Sequence, residues 1–417
     1  MHMRHLIRHL LLGVLALMAL TMVVFLWWFV STFVVTTTSV TPKDLAPSLA
    51  DIQNVADWEG RAPGIRAQLD DALYGPVPTT EVDWKVTKKV LDAEAFSGKA
   101  VYELWTLRAP ESELALNIVA LIPKSDTPLP LLVGSNFCPN HIRYPDFDLP
   151  APKTYPGMCG TKTVMTPVFH AIFGSFIETF PFADFVEKNI AFANIYLAEG
   201  VADDAVTAYQ DLKTVSAVTG VPIEGALAAW AWEFIETVRI FEEDNRIDDT
   251  RTALYGHSRD GKAAFLAAAH SARIDLVLAH QSGKGGAAPW QHKVGETVEA
   301  ITTDYPYWFR PDFKNYADDT MSLPVDQHEL LALIAPRPVL ISTAWWDKWG
   351  DPAGSLLAAQ SASHVYELYG VPAITQNKLD DYTPSASLAF FIRPLTHGVR
   401  ASDWEAFFEF LDAHFDL

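Results

Sequence analysis

Thr252-Ala-Leu-Tyr-Gly-His-Ser-Arg-Asp-Gly-Lys262 is the stretch that decides the reading of this chain. A short apolar run stops at Gly256, Ser258 follows two residues later, and an alanine-rich helical pattern takes over from Ala263. A serine on a tight strand-to-helix turn is displayed as a nucleophile at the top of a parallel sheet. The helix N-terminus beside it supplies unpaired N–H groups and the positive end of a dipole. An ester carbonyl attacked there would develop its oxyanion among donors already in place, so the stretch implies ester hydrolysis. A rival uses the same residues, because Gly256-x-x-x-x-Gly261-Lys262 is also the spacing of a phosphate-binding loop. Against that rival, Ala263 stands where such a loop needs a hydroxyl for Mg²⁺. Against the hydrolase, Gly261 comes one residue later than in Gly-x-Ser-x-Gly. The rest of the chain has to decide.

Outward from this stretch, residues 84–90, 100–108 and 116–122 read as early strands. Residues 129–134, 190–196, 251–256, 275–280, 338–343 and 388–393 are compact apolar runs, suited to strands covered on both faces. Helical patterns lie over 225–242, 263–272, 297–303, 330–334 and 404–415. This order predicts an α/β sheet with an antiparallel leading edge. In such a sheet the acid and the base that serve an elbow serine each follow a later strand. Asp347 follows the run 338–343 and His397 follows 388–393, so Ser258, Asp347 and His397 form the candidate triad. His397 would take the serine proton while Asp347 holds its tautomer. Asp351 competes for the acid role, but Asp351-Pro352 reads more naturally as a turn or helix start. His257 is expected to point away from the nucleophile. His280, His292 and His328 lack the placement after the last strand. No His/Cys/Asp/Glu cluster has metal-ligand spacing, so no metal or other cofactor is expected.

The chain has 417 residues, 49% hydrophobic and 20% charged. Its formal net charge of −20 excludes the basic footprint of a nucleic-acid binder. Arg4 and Arg8 precede an apolar run over 10–35, which would span ~39 Å as a helix, enough to cross a bilayer with tilt. Trp27 and Trp28 sit near its far end, and no small-residue cleavage site is evident after it. Residues 1–35 therefore read as a single-pass anchor, 36–49 as a polar tether, and 50–417 as one exported domain. Anchored or secreted, the catalytic part would lie on the periplasmic or extracellular side, touching the membrane only through the N-terminal helix. Cys138 and Cys159 could pair in an oxidising compartment, and two separate thiols fit as well. The proline- and aromatic-rich loop over 136–167 is a candidate wall of the cleft.

With these residues in view, the segment from about residue 226 to the C-terminus resembles the glucuronoyl esterases, carbohydrate esterase family fifteen. That family has the α/β-hydrolase fold, a three-layer sandwich around a mostly parallel sheet. Its signature Gly-Cys/His-Ser-Arg-x-Gly-Lys is matched by Gly256-His-Ser-Arg-Asp-Gly-Lys262. Further matches are Ser282-Gly-x-Gly-Gly286, Gly295-Glu296, Leu323-Pro-Val-Asp-Gln-His328, Ala335-Pro-Arg-Pro338 and Asp347-x-Trp349. Upstream, Tyr74-Gly-x-Val-Pro78 and Asn136-Phe137 also look like the family. The late Gly261 is the family's own spacing, which sets the phosphate-loop reading aside. The resemblance implies cleavage of 4-O-methyl-glucuronate esters that join xylan to lignin alcohols, through an acyl-enzyme on Ser258. It implies that Arg259 stabilises the oxyanion and that Lys262, Glu296 and Trp349 hold the sugar. The partner would be a polysaccharide or a small uronic-acid ester.

Three departures stand out. Many relatives carry a catalytic glutamate where this chain has Gln281, which leaves the acid role to Asp347. Lys284 interrupts a glycine run where relatives carry a small or neutral residue. Trp290-Gln-His-Lys293 replaces arginines often found before Gly-Glu. Two further functions stay open beside the first: an esterase for another carbohydrate ester, such as acetylated xylan, and a carbohydrate-binding relative without turnover.

Overall fold

The computed structural model describes residues 2–160 and 180–417, without the side chains of residues 2–16, 158 and 160. The apolar runs become nine strands: β1 (Lys85–Glu94), β2 (Ala100–Arg108), β3 (Ala115–Pro123), β4 (Leu129–Ser135), β5 (Ala191–Ile195), β6 (Ile247–His257), β7 (Leu276–His280), β8 (Val339–Ala344) and β9 (Leu388–Arg393). They make one sheet in the order β1-β2-β3-β5-β4-β6-β7-β8-β9. Neighbours from β1 to β5 pair antiparallel, and every pair from β5 across to β9 is parallel. The expected α/β sheet with an antiparallel leading edge is thus the one formed.

Period-two alternation divides the core between the two faces of the sheet. Leu131, Val133, Leu254, Val277 and Ile341 enter one apolar cluster with helices Val55–Leu69, Ala226–Glu242, Arg259–His270 and Pro352–Leu368. Leu132, Tyr255, Leu278 and Leu340 enter the other with Phe182–Glu187 and Ala401–Phe415. These are three layers, with strand ends β6 to β9 opening at one edge.

Several expectations are corrected. The helix anticipated from 263 starts four residues earlier, at Arg259, directly after Ser258. The one anticipated over 330–334 is Gln327–Ala332, started by an Asp326 capping box. Helices Val55–Leu69, Ala205–Thr219 and Pro352–Leu368 were not anticipated. In the last of these, Leu356, Leu357, Ala358, Ala359 and Ala362 are all buried, so contact on several sides erases the one-faced period that would reveal it.

The N-terminal run is helical over His2–Phe33. Among the described residues no helix is long and apolar enough to cross a membrane, and the side chains of 10–16 within the expected span lie outside them. The stretch 36–49 is a docked strap instead of a loose tether. Val35 N donates to Trp345 O at 2.8 Å, Val40 N to Asn377 O at 2.7 Å and Leu379 N to Thr38 O at 3.1 Å. Leu45 and Leu49 are buried, and apolar area removed from water favours the docked state. Cys138 and Cys159 form a disulfide, so the bridged alternative is the one adopted. The last part of the expected cleft wall, 161–167, lies outside the described residues.

Candidate active site

β6 ends at His257, and Ser258 then adopts φ 56 and ψ −122 before helix Arg259–His270 begins. Few non-glycine residues adopt a positive φ, and such backbone strain is concentrated at functional sites. Ser258 occupies the N-cap position yet makes no capping bond with its side chain, so its hydroxyl is not spent on the helix. Its N–H is held by His280 O at 2.8 Å. The turn depends on close backbone approach: a Cβ on Gly256 would collide with the carbonyl of Asp260, and one on Gly261 would lie 2.9 Å from Gly256 O. The late glycine therefore marks where the first helical turn crosses the strand end.

Asp347 follows β8 and His397 follows β9, and the two meet with His397 Nδ1 2.9 Å from Asp347 Oδ2. Burial opposes ionisation of Asp347, but the charge of His397, its hydrogen bond and the Gly350 N–H outweigh it. They hold the carboxyl below its usual range. His257, expected to point away from the nucleophile, has its ring 4.8 Å from that of His397 and its Nε2 3.1 Å from Gln281 Oε1. Burial first, then the charges of His397 and His280, push His257 well below the ordinary imidazole value. The candidate base, His397, is therefore flanked by a neutral ring.

Ser258 and Arg259 line a cleft of about 470 Å³ with Phe137, Asp203, Tyr305 and Trp308 among its walls. As the first residue of its helix, Arg259 has a backbone N–H without an intrahelical acceptor. Its guanidinium is buried, 4.4 Å from the centre of the Phe137 ring, with Nη1 2.8 Å from Asp203 Oδ2. The other oxygen of Asp203 accepts from Tyr307 Oη at 2.8 Å and Trp308 Nε1 at 2.9 Å. Asp203 thus fixes the arginine and one cleft wall together. Sequence reasoning missed it, because nothing in its local spacing signals the role.

Lys262 Nζ, although buried, donates to Ser282 O at 2.6 Å and Lys284 O at 2.7 Å. Burial lowers its pKa, opposed by the facing charges of Glu296 and Asp347. Burial raises that of Glu296, opposed by Lys262 and by a hydrogen bond from the Trp349 side chain. The indole of Trp349 is 56% exposed and Glu296 N donates to Trp349 O at 3.1 Å. The three candidate sugar-holding residues therefore share one side of the site, next to Asp347.

Lys284, the departure in the glycine run, is an internal brace. Its Nζ donates to Pro289 O and His292 O, each at 2.6 Å, and lies 2.9 Å from Asp351 Oδ2. Asp351 also binds His292 Nδ1 and caps helix Pro352–Leu368 through Gly354 N. Its carboxylate is committed, which removes it as a rival to Asp347. Lys284→Met leaves this buried carboxylate without its lysine. The expected loss is about 3–5 kcal/mol of unfolding free energy, read from the urea midpoint. Gln291 exchanges hydrogen bonds with the backbone of Ala46 in the docked strap, while Lys293 Nζ donates to Thr320 Oγ1 at 2.5 Å. Among the described residues no group of three or more His, Cys, Asp or Glu could hold a metal ion.

A family model described as "Glucuronyl esterase, fungi" matches residues 179–370. Carbohydrate esterase MZ0003, from an unknown prokaryotic organism, is 31% identical over 381 residues, 87% of this chain and 86% of the relative. The chain belongs to the glucuronoyl esterases, carbohydrate esterase family fifteen. The solved glucuronoyl esterase of Teredinibacter turnerae superposes with a TM-score of 0.73 at 30% identity, over 90% of this chain and 91% of that one. The 4-O-methyl-glucuronoyl methylesterase 1 of Wolfiporia cocos is 33% identical over 156 residues, 35% of this chain and 38% of its own length. This is a family of carboxylic-ester hydrolases.

Proposed function

We propose that this chain hydrolyses uronic-acid esters of the 4-O-methyl-glucuronate type through an acyl-enzyme on Ser258. The observation that carries the reading is the contact of His397 Nδ1 with Asp347 Oδ2 at 2.9 Å. It lies at the same sheet edge as a serine held at φ 56 beside a buried arginine. With Nδ1–H directed at Asp347, Nε2 is the nitrogen that accepts the Ser258 proton as Oγ attacks the ester carbonyl. The oxyanion faces Arg259 and the N–H groups of the first helical turn. Collapse expels the alcohol, which takes the proton from His397. Water then attacks the acyl-enzyme and gives a proton to His397, which passes it to Ser258 Oγ as the acyl–oxygen bond breaks and the uronate leaves. Lys262 and Glu296 bind hydroxyls of the uronate ring, and exposed Trp349 covers its face.

The N-terminal helix serves, in this reading, as a single-pass anchor that leaves the hydrolase domain (residues 50–417) on the periplasmic or extracellular side. Exposed apolar side chains from Leu17 to Phe33 and a formed disulfide support it. The strap beside Trp345 would hold the acid's loop close to the helix end.

The full chain should release alcohol from benzyl glucuronate, with activity sedimenting in the carbonate-washed membrane fraction. Hydrolysis of acetylated xylan alone would sink the uronate reading, and activity confined to the soluble fraction would sink the anchor.

A further inference from the structure

Gln281 follows directly on β7, is 2% exposed, and has φ 50. Its N–H donates to Ser342 O at 2.6 Å, which locks its backbone to β8. The side chain then crosses to the loop after β9. Gln281 Oε1 accepts from Gly398 N at 2.8 Å, and Nε2 donates to Thr396 O at 3.2 Å. These are the residues on either side of His397, so one amide grips the base loop before and after the imidazole. Oε1 also lies 3.1 Å from Nε2 of His257, the ring packed against His397.

Chemistry makes the amide specific. The Gly398 N–H can only donate and the Thr396 carbonyl can only accept, so the residue between them must offer one acceptor and one donor. Glutamine does so without charge. An ionised glutamate accepts only, and would turn a second negative oxygen toward the Thr396 carbonyl. The outer side of the loop has its own brace: Arg393, paired with Asp403 at 2.8 Å, donates to Thr396 O at 2.8 Å and to Gly398 O. His280 Nε2 lies 3.1 Å from Gly398 O. Within this set Gln281 bonds the loop on both sides of His397 and also contacts His257, against which the His280 ring packs at 5.3 Å.

We infer that Gln281 is a positioning residue for His397, holding the base loop through its amide on both sides of the imidazole. The inference rests on the reading of His397 as the base, and the experiment separates the two. Gln281→Met keeps length and volume and removes both hydrogen bonds. Gln281→Glu keeps the acceptor, loses the donor, and adds a charge among His257, His280, His397, Asp347, Arg393 and Asp403. Turnover of benzyl glucuronate by the full chain is divided by the sites titrated with a fluorophosphonate, so that unfolded protein does not count. Gln281→Met is expected to lower kcat per site about 10- to 100-fold, with KM within about threefold, because a base displaced by roughly 1 Å loses reactivity and not affinity. Gln281→Glu is expected to lower kcat per site and to move the acid limb of the kcat/KM profile to higher pH, since a new carboxylate favours the protonated imidazoles. A kcat per site within about twofold of wild type in Gln281→Met, or an acid limb unmoved in Gln281→Glu, overturns the assignment. If Gln281→Met fails to fold, Gln281→Glu alone decides. His397→Ala that still turns over normally would remove the underlying reading, whatever the glutamine variants do.

Discussion

Ser258→Ala is expected to lower kcat on benzyl glucuronate by about 10⁵- to 10⁶-fold while KM stays near its wild-type value. The loss is that large because the acyl-enzyme has no other oxygen on which to form. His397 and Asp347 then have no proton to move, so their contribution disappears with the serine's. What remains is the donor set around the oxyanion position, Arg259 and the first helical turn, acting on water. Stability should be spared. The Ser258 side chain makes no capping bond, and alanine meets the φ of 56 with much the same strain. Fluorophosphonate labelling and the thermal midpoint check both halves together. A variant that keeps more than about one hundredth of wild-type kcat would show that Ser258 is not the nucleophile.

Asp347→Asn is expected to lower kcat by about 10⁴-fold with the fold retained. Asparagine fills the same space and can still accept from Gly350 N, which Asp347 does at 3.3 Å. Toward His397, however, an amide NH₂ would replace the oxygen now 2.9 Å from Nδ1. That favours the tautomer with its proton on Nε2, the nitrogen that must be free to accept. The imidazolium formed during attack also loses its counter-charge. Because the Asp347 carboxyl is held below its usual range, the stabilisation it gives is present above the ordinary value of about 3.9 and fades only as pH falls through the lower folded value. The wild-type pair should therefore persist throughout mildly acidic assays, where Asp347→Asn remains slow at every pH. Single-turnover acylation at several pH values tests this, and recovery of rate at any of them would count against Asp347 as the acid.

Much of the candidate site was legible without coordinates. Ser258, Asp347 and His397 each follow an apolar run, and a parallel sheet brings the ends of such runs to one edge whatever loops intervene. Lys262, Glu296 and Trp349 came from family resemblance, and the fold gathers them beside Asp347. Less was legible where contact, not pattern, decides. Helix Pro352–Leu368 carries apolar residues on too many sides to show a period. The strap over 36–49 is bound by backbone hydrogen bonds that any residues could make. Asp203 and Gln281 act through partners far away in the chain, Arg259 and the residues flanking His397.

Read alone, the order of residues determined the strands, the serine turn and the later slots for the candidate acid and base, because alternation and turn chemistry act between near neighbours. Asp351-Pro352 already read as a helix start, which favoured Asp347; only the tertiary structure decided which partners hold each of the two carboxylates. Asp351 is consumed by Lys284, His292 and a helix cap, while Asp347 is left to His397. Competition for a buried carboxylate is settled by whichever donors the packed elements deliver, and that delivery depends on the whole sheet.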